Sequence, residues 1–399
     1  MWQSTKNVYH LFVAILANIL YRFPSKKLKI IGVTGTDGKT TTSSLIYQVL
    51  KSSGFDVSMV TSVGAIINNK EYPLGFHVTT PSPFKLQNFI RRSISGKNPQ
   101  YLVLEVTSHA IDQHRIWGIP FEVGVLTNVS NEHLDYHKTY ENYLHTKSRL
   151  LKSAKIAIVN RDDKSYPLLE PVKNSKTKNG WITYGLSKNS DVNPANFPFK
   201  SKIGGLFNEY NILASIAACK AVGVEDGKIK KAVEKFELPL ARMDMVYDNS
   251  FSVMIDFAHT PNALEQILSS IKPRVKGRLI HVFGSAGERD RSKRPEMGRI
   301  SAKYADIIIL TSEDPRSENT EDIMDRIQEG MGSSKKNEVV RIADRQEAIG
   351  KAVGMAKKGD FILVTGKGHE KSMNKGHGEE PWSEYEAVNK ALEKAGVEN

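Results

Sequence analysis

Cysteine is almost missing from this chain: Cys219 is the single one among 399 residues. That excludes an intrachain disulfide and a thiolate metal cluster, and makes a reducing cytoplasm the expected compartment. Its surroundings, "ILASIAACKAV", predict a buried helical thiol. Also missing is any apolar run of the roughly 20 residues needed to span a bilayer. The run from Leu11 to Tyr21 is interrupted by Asn18, and no small-residue cleavage site follows it. A helix packed against the domain behind it is expected there, with contact to a membrane surface as the other reading. There is no solenoid-length repeat, zinc-finger spacing, K/R-rich tail or RNA-binding strand motif. The net charge of +12 therefore points to small anionic substrates, and no nucleic acid partner is expected.

What is present is ordinary globular material, 40% apolar and 25% charged, in a length that suits two or three domains. "KLKIIGVTG", "QYLVLEVTS", "FEVGVLTNV" and "KIAIVN" are apolar enough to be strands covered on both faces, and helical periodicity separates them. A polar, proline-bearing region from about Leu168 to Lys202 follows, with "WITYGL" as a short strand. "GLFNEYNILASIAACKAVGV" then returns to a helix that Gly223 ends. Past "FELPLARMDMVYDN" a second series begins: "SVMIDFA", "RLIHVFG", "DIIILTS", "EVVRIA" and "DFILVTG". The expected fold is α/β, with a central P-loop ATPase domain built on a mostly parallel sheet and a C-terminal Rossmann-like α/β domain. The expected division is an N-terminal helix and linker at 1–27, a central domain at 28–244 and a C-terminal domain at 245–399.

"GVTGTDGKTTT", Gly32 to Thr42, enters from a strand and leaves into a helix. Gly35 and Gly38 let backbone N–H groups approach phosphate oxygens at a helix N-terminus. Lys39 neutralises terminal phosphates, and the Thr40 hydroxyl can reach Mg2+. Gly35, Thr36, Asp37, Gly38, Lys39, Thr40 and Thr41 are the candidate ATP-binding stretch, although a standard Walker A loop needs a glycine where Val33 stands. Glu105 closes the "YLVLE" strand and His133 follows the next one, at strand ends where such sheets bind ligands. Together with Thr40 they suggest one or two Mg2+ ions between ATP and a second anionic group.

Separated signatures run on from this loop: "HVTTPSP", "LEVTSHAIDQHR", "TNVSNEHLDYHKTYENYLHTK", "GLFNEYN", "ARMD", "IDFAHTPNALE", "VFGSAGERDRSKRPEMG", "TSEDPRSEN" and "VTGKGHE". In order and wording the chain resembles the Mur ligases, over about residues 28 to 390, and most of all their branch that adds diaminopimelate or lysine to UDP-N-acetylmuramoyl-L-alanyl-D-glutamate. The shortened phosphate loop is the family's own form. The resemblance implies an ATP-dependent amide ligase of peptidoglycan precursor synthesis that works through an acyl phosphate, with ATP and Mg2+ as cofactors. It assigns Lys147 to a lysine that becomes carbamylated and holds the second Mg2+ beside Thr40, Glu105 and His133.

The resemblance also gives Asn208 to the adenine, Arg242 to the ATP phosphates, and Asp256 and His259 to the ribose and phosphates. Thr79, Thr80, Ser108 and Arg115 would hold the muramoyl peptide. Arg289, Asp314, Arg316, Gly366 and Glu370 would surround the incoming amino acid, with Arg289 also in a catalytic role next to Lys39, Lys147 and His133. His109, His114 and His137 are given structural roles. Where the diaminopimelate-type pattern reads Asp-Asn-Pro-Arg, this chain has Glu313, Asp314, Pro315 and Arg316. Retention of Arg316 favours a diamino acid with a distal carboxylate, and Asp314 is expected to strengthen recognition of an ammonium. The family's separate UDP-gripping N-terminal domain is not expected within the 27 residues ahead of the first strand, which leaves the uridine end to a helper protein or an altered carrier. A monomer is expected. Folylpolyglutamate synthesis, cyanophycin-like polymerisation and a non-catalytic ATP-gated scaffold are the alternatives.

Overall fold

In a computed structural model, residues 2–75, 78–94, 100–175, 180–332 and 337–397 are described, residues 2–5 and 175 without their side chains. They form two compact units: residues up to Asn131 with His137–Glu237, and Glu132–Tyr136 with Leu238 onward.

The first unit carries an eight-stranded sheet. Its strands are β1 (Lys29–Thr34), β2 (Asp56–Thr61), β3 (Gly64–Ile67), β4 (Lys70–Tyr72), β5 (Gln100–Glu105), β6 (Phe121–Leu126), β7 (Ala154–Asn160) and β8 (Trp181–Tyr184). They lie in the order β4-β3-β2-β5-β1-β6-β7-β8. All neighbours are parallel except the two pairs that add β3 and β4 as an antiparallel edge. Every residue of β5 is buried, as a central parallel strand with helices on both faces requires. One face packs Ile30, Leu102, Leu104 and Phe121 into a common core. The other receives helices Lys39–Ser52 and Leu206–Ala221, and the Cys219 thiol is fully buried there, its pKa pushed up by that burial.

The strand pattern in "FDVSMVT" was not singled out by composition, because Asp56 and Ser58 break the apolar run; β2 is nonetheless buried along its last five residues. Helix Lys39–Ser52 stops where Gly54 takes φ +91°, and helix Leu206–Ala221 where Gly223 takes φ +83°. Both are left-handed stops that a side chain resists.

The second unit holds a six-stranded sheet of β9 (Asp244–Asp248), β10 (Ser252–Asp256), β11 (Leu279–Phe283), β12 (Ile307–Leu310), β13 (Glu338–Arg341) and β14 (Phe361–Thr365). The order is β13-β12-β11-β14-β10-β9, parallel but for β9. The antiparallel pairing of β9 with β10 draws the "ARMD" segment into this unit. Arg242 thus stands with Asp256 and His259.

Candidate active site

The carboxyl ends of β5, β1 and β6 lie side by side, with Val33 opposite Glu105 and Thr34 opposite Leu126. The glycine turn leaves β1 at this edge. Gly35 has φ +153° and Gly38 φ +80°, and a Cβ would fall 1.8 Å from Thr127 Oγ1 at the first and 2.1 Å from Asn211 Oδ1 at the second. Both positions therefore need glycine for space as well as for backbone angle.

Residues just past β6 brace the turn. Thr36 N–H donates to Asn128 O at 2.9 Å and Asp37 N–H to Asn128 Oδ1 at 3.0 Å. Thr127 Oγ1 donates to Asp37 O at 2.6 Å. Neither Thr127 nor Asn128 was singled out from sequence, although both lie inside "TNVSNEH". Gly38 opens helix Lys39–Ser52, whose unpaired N–H groups and dipole favour a phosphate at that end. Lys39 folds back over the turn, its Nζ donating to Thr36 O at 2.6 Å. Thr41 is buried in the first turn of the helix.

Thr40 Oγ1 donates to Glu105 Oε2 at 3.0 Å and lies 3.0 Å from Ser62 Oγ. Ser62 N–H reaches the same carboxylate oxygen at 3.0 Å. Two hydroxyls and a carboxylate, all oxygen, converge beside the phosphate turn. That donor set fits Mg2+, which takes one or two carboxylates and leaves its remaining positions to water and substrate phosphate. Among the described residues no group of three or more His, Cys, Asp or Glu is arranged to hold an ion. Lys147 is 1% exposed; its Nζ donates to Gly35 O at 2.6 Å and lies 4.4 Å from the centre of the Tyr143 ring. The structure thus brings Lys39, Thr40, Glu105 and Lys147 around one turn. His133 belongs to the Glu132–Tyr136 segment of the second unit and takes φ +56°.

On the first unit, Asn208 is buried, donates to Gly204 O at 2.8 Å and accepts from Asn211 Nδ2 at 3.2 Å. Thr80 Oγ1 donates to Glu105 O at 3.0 Å, and Arg115 Nη1 donates to Thr80 O at 2.8 Å. Ser108 Oγ meets His137 Nε2 at 3.0 Å. Thr80, Ser108 and Arg115 therefore gather beside Glu105, with the half-buried Thr79 next in the chain. His137 packs against His109 and Tyr143, and burial lowers the His114 pKa.

In the second unit, Asp256 accepts from Met243 N–H and Ala258 N–H, each at 2.7 Å, and so ties the "ARMD" segment to "DFAH". Arg242 lies over the Phe257 ring at 4.7 Å. His259 Nδ1 meets Phe257 O at 2.8 Å. Lys293 Nζ donates to His259 O at 2.9 Å and to Glu132 Oε1 at 3.1 Å. The Lys293–Glu132 pair was not picked out from sequence; 161 residues separate its members.

The expected amino-acid site is a cluster of both charge signs. Burial first and Arg316 second depress the Arg289 pKa, while Asp135, Asp314 and Glu370 oppose them. Arg316 takes φ +54° and its Nη1 donates to Gly287 O at 2.6 Å. Gly366, at φ +110°, has no room for a Cβ, which would lie 2.3 Å from Glu313 Oε2. Asp314, expected to strengthen recognition of an ammonium, holds this chain's own. Lys367 Nζ donates to both Asp314 oxygens at 2.9 Å and to Glu370 Oε2 at 2.6 Å. With Lys367 fully buried, the two carboxylates balance a charge that could not stand alone.

Residues 33–219 match the Mur ligase middle domain, and residues 241–368 match the Mur ligase, glutamate ligase domain. The UDP-N-acetylmuramoyl-L-alanyl-D-glutamate--2,6-diaminopimelate ligase 1 of Clostridium acetobutylicum is 39% identical over 380 residues, 90% of this chain and 77% of that one. The enzyme of the same description from Aquifex aeolicus is 37% identical over 391 residues, 92% of this chain and 78% of that one. A solved structure of a UDP-N-acetylmuramoyl-L-alanyl-D-glutamate--2,6-diaminopimelate ligase aligns with a TM-score of 0.59 at 30% identity, over 93% of this chain and 79% of that one. With two domain matches in sequence, a phosphate turn in the first unit and relatives above 30% identity across most of its length, the chain belongs to the Mur ligase family of ATP-dependent amide ligases.

Proposed function

We propose that this enzyme joins 2,6-diaminopimelate to the D-glutamate of UDP-N-acetylmuramoyl-L-alanyl-D-glutamate, driven by ATP. The observation that carries the reading is the contact of Thr40 with Glu105 beside the phosphate turn. It sits in a chain whose relatives are named for this ligation.

The chemical problem is that a carboxylate is a poor electrophile and repels the triphosphate it must attack. Lys39 and the N-terminus of helix Lys39–Ser52 offset the phosphate charge. Thr40 and Glu105 would hold Mg2+, the metal the family uses with ATP, which supplies further charge neutralisation. Transfer of the γ-phosphoryl group to the acceptor carboxylate releases ADP and leaves an acyl phosphate. The amine of the incoming amino acid then attacks the acyl carbon, the C–O bond to the phosphoryl group breaks and phosphate leaves with its electron pair and the former carboxylate oxygen, and the amine gives up a proton as the amide forms.

Thr79, Thr80, Ser108 and Arg115 are suited to the acceptor, since the Arg115 fork can pair a carboxylate through two hydrogen bonds. Asn208 offers adenine a donor and an acceptor on one amide. Arg242, Asp256 and His259 complete the nucleotide side, and His133 is a further candidate metal ligand. Carbamylation of Lys147 would turn a buried cation into an anionic oxygen ligand at the turn. A mass increase equal to bound CO2, absent in Lys147→Arg, is the test of that modification.

Arg289 and Arg316 supply cations for a distal carboxylate, and Glu370 an anion for a distal ammonium. In this reading residues 28–244 carry the acceptor and most of the ATP site, and residues 245–399 carry the amino acid site together with Asp256 and His259 of the nucleotide side. Purified protein given ATP, Mg2+ and the muramoyl dipeptide, with diaminopimelate or lysine offered separately, should yield a product heavier by one diaminopimelate residue. Product with lysine alone would reassign the amino acid. ATP binding that is independent of the muramoyl dipeptide, with no ligation to either amino acid, would favour a non-catalytic nucleotide-gated scaffold.

A further inference from the structure

The helix Trp2–Leu20 has two unlike faces. Inward, Ala14 and Ala17 are fully buried, and Asn18 donates to Trp117 O at 2.8 Å and accepts from Gln87 Nε2 at 3.2 Å. Asn7 Nδ2 donates to Asp112 Oδ2 at 2.9 Å. The helix is therefore fixed to the first unit from Asn7 to Asn18. Outward, Val8, Tyr9, Phe12, Leu16, Ile19 and Leu20 are 39% to 69% exposed. At helical spacing these six fall within an arc of about 120°, a continuous stripe where a surface helix ordinarily carries charge.

The charge that the N-terminal segment itself carries is of one sign. The chain has 44 acidic residues, yet none precedes Asp37, whereas Lys6, Arg22, Lys26, Lys27 and Lys29 do. Where the stripe ends, an open groove of 610 Å³ is lined by Leu20 together with Arg22, Lys27 and Arg91. An apolar stripe bordered by cations and without a carboxylate is the composition of a helix that lies in a lipid interface. No helix among the described residues is long and apolar enough to cross a membrane.

We propose that this face docks on the surface of an anionic lipid bilayer, with Phe12, Leu16 and Ile19 in the boundary between headgroups and acyl chains and Arg22, Lys27 and Arg91 on lipid phosphates. A second copy of the chain suits the face less well. Symmetric pairing would set Arg22, Lys26 and Lys27 against themselves, with no carboxylate in the same segment to offset them. The inner face of the helix grips Asp112 and Trp117, on either side of Arg115. Docking therefore sets the Arg115 side of the first unit beside the bilayer. The proposal stands whatever amino acid the enzyme adds.

Co-sedimentation of the full chain with vesicles tests it. Binding is expected to vesicles of phosphatidylcholine mixed with phosphatidylglycerol and not to phosphatidylcholine alone, and to weaken as salt rises. The double variants F12S/I19S and K26E/K27E should each reduce binding by about tenfold or more, with thermal stability in ATP unchanged as evidence of an intact fold. Absence of binding to the anionic vesicles, or equal binding by F12S/I19S, overturns the proposal. So does a concentration-dependent dimer that F12S/I19S abolishes, which would give the face to a second copy.

Discussion

Burial governs the chemistry of Glu313. Its Oε2 has no hydrogen-bond partner, and burial, against the opposing pull of the nearby Arg345 and Lys293 cations, pushes its pKa up to about 8. The folded protein therefore keeps a proton there that the unfolded chain loses near the ordinary value of 4.5. Between those two pH values the unfolded state binds fewer protons, so this group's contribution to stability falls as pH rises. Glu313→Gln should remove that slope, and melting temperatures will show the variant gaining on the parent at pH 8 relative to pH 5.

Lys39→Ala should lower the ligation rate by about a hundredfold or more, because the cation acts where charge gathers during transfer. Arg316→Ala should cut kcat/KM for the amino acid by about tenfold or more and leave KM for ATP near its parent value. Equal loss for both substrates would point to collapse of the turn that Arg316 braces at Gly287. At this scale the sequence is legible where a residue type announces its task, as in the Gly-Lys-Thr turn. Lys147 does not: a lysine in a polar helical stretch reads as solvated, whereas the structure buries it in the middle of helix Tyr140–Ser153 with its Nζ on Gly35 O and beside the Tyr143 ring. The Glu132–Lys293 and Asp314–Lys367 pairs join residues far apart in the chain, which no local pattern encodes.

Among the elements, the phosphate turn is held by shape more than by contacts of its own. Gly38→Ala would force a Cβ into Asn211 and a side chain into φ +80°. A loss of about 1–3 kcal/mol on denaturant unfolding is expected, with weakened nucleotide binding. The first helix is held, besides its buried alanines and the Asn7–Asp112 contact, by one buried amide, that of Asn18. Asn18→Ala would strip partners from Trp117 O and Gln87 Nε2, a cost of about 1–3 kcal/mol, and limited proteolysis should then cut ahead of β1 faster than in the parent. The apolar strands β5, β6, β7, β11, β12 and β14 are legible because full burial demands continuous Val, Ile and Leu. β9 and the β3–β4 edge are not, since short antiparallel strands at a sheet border tolerate Asp244, Asp248 and Lys70, and their pairing is decided by the neighbour they join.

For the whole molecule, the two sheets follow from two series of apolar strands, while the assignment of connecting segments does not. Glu132–Tyr136 leaves β6 of the first unit yet packs with the second, because Leu134 N–H meets Asp290 and Glu132 meets Lys293. The central claim is chemical: the enzyme moves the γ-phosphoryl group of ATP onto the acceptor carboxylate before the amide forms. Ligation run with heavy oxygen in that carboxylate tests it most directly, by mass analysis of the phosphate released. The account predicts one labelled oxygen in phosphate for each amide made, with labelled phosphate and amide slowed together in Lys39→Ala. Amide product accompanied by unlabelled phosphate would contradict it.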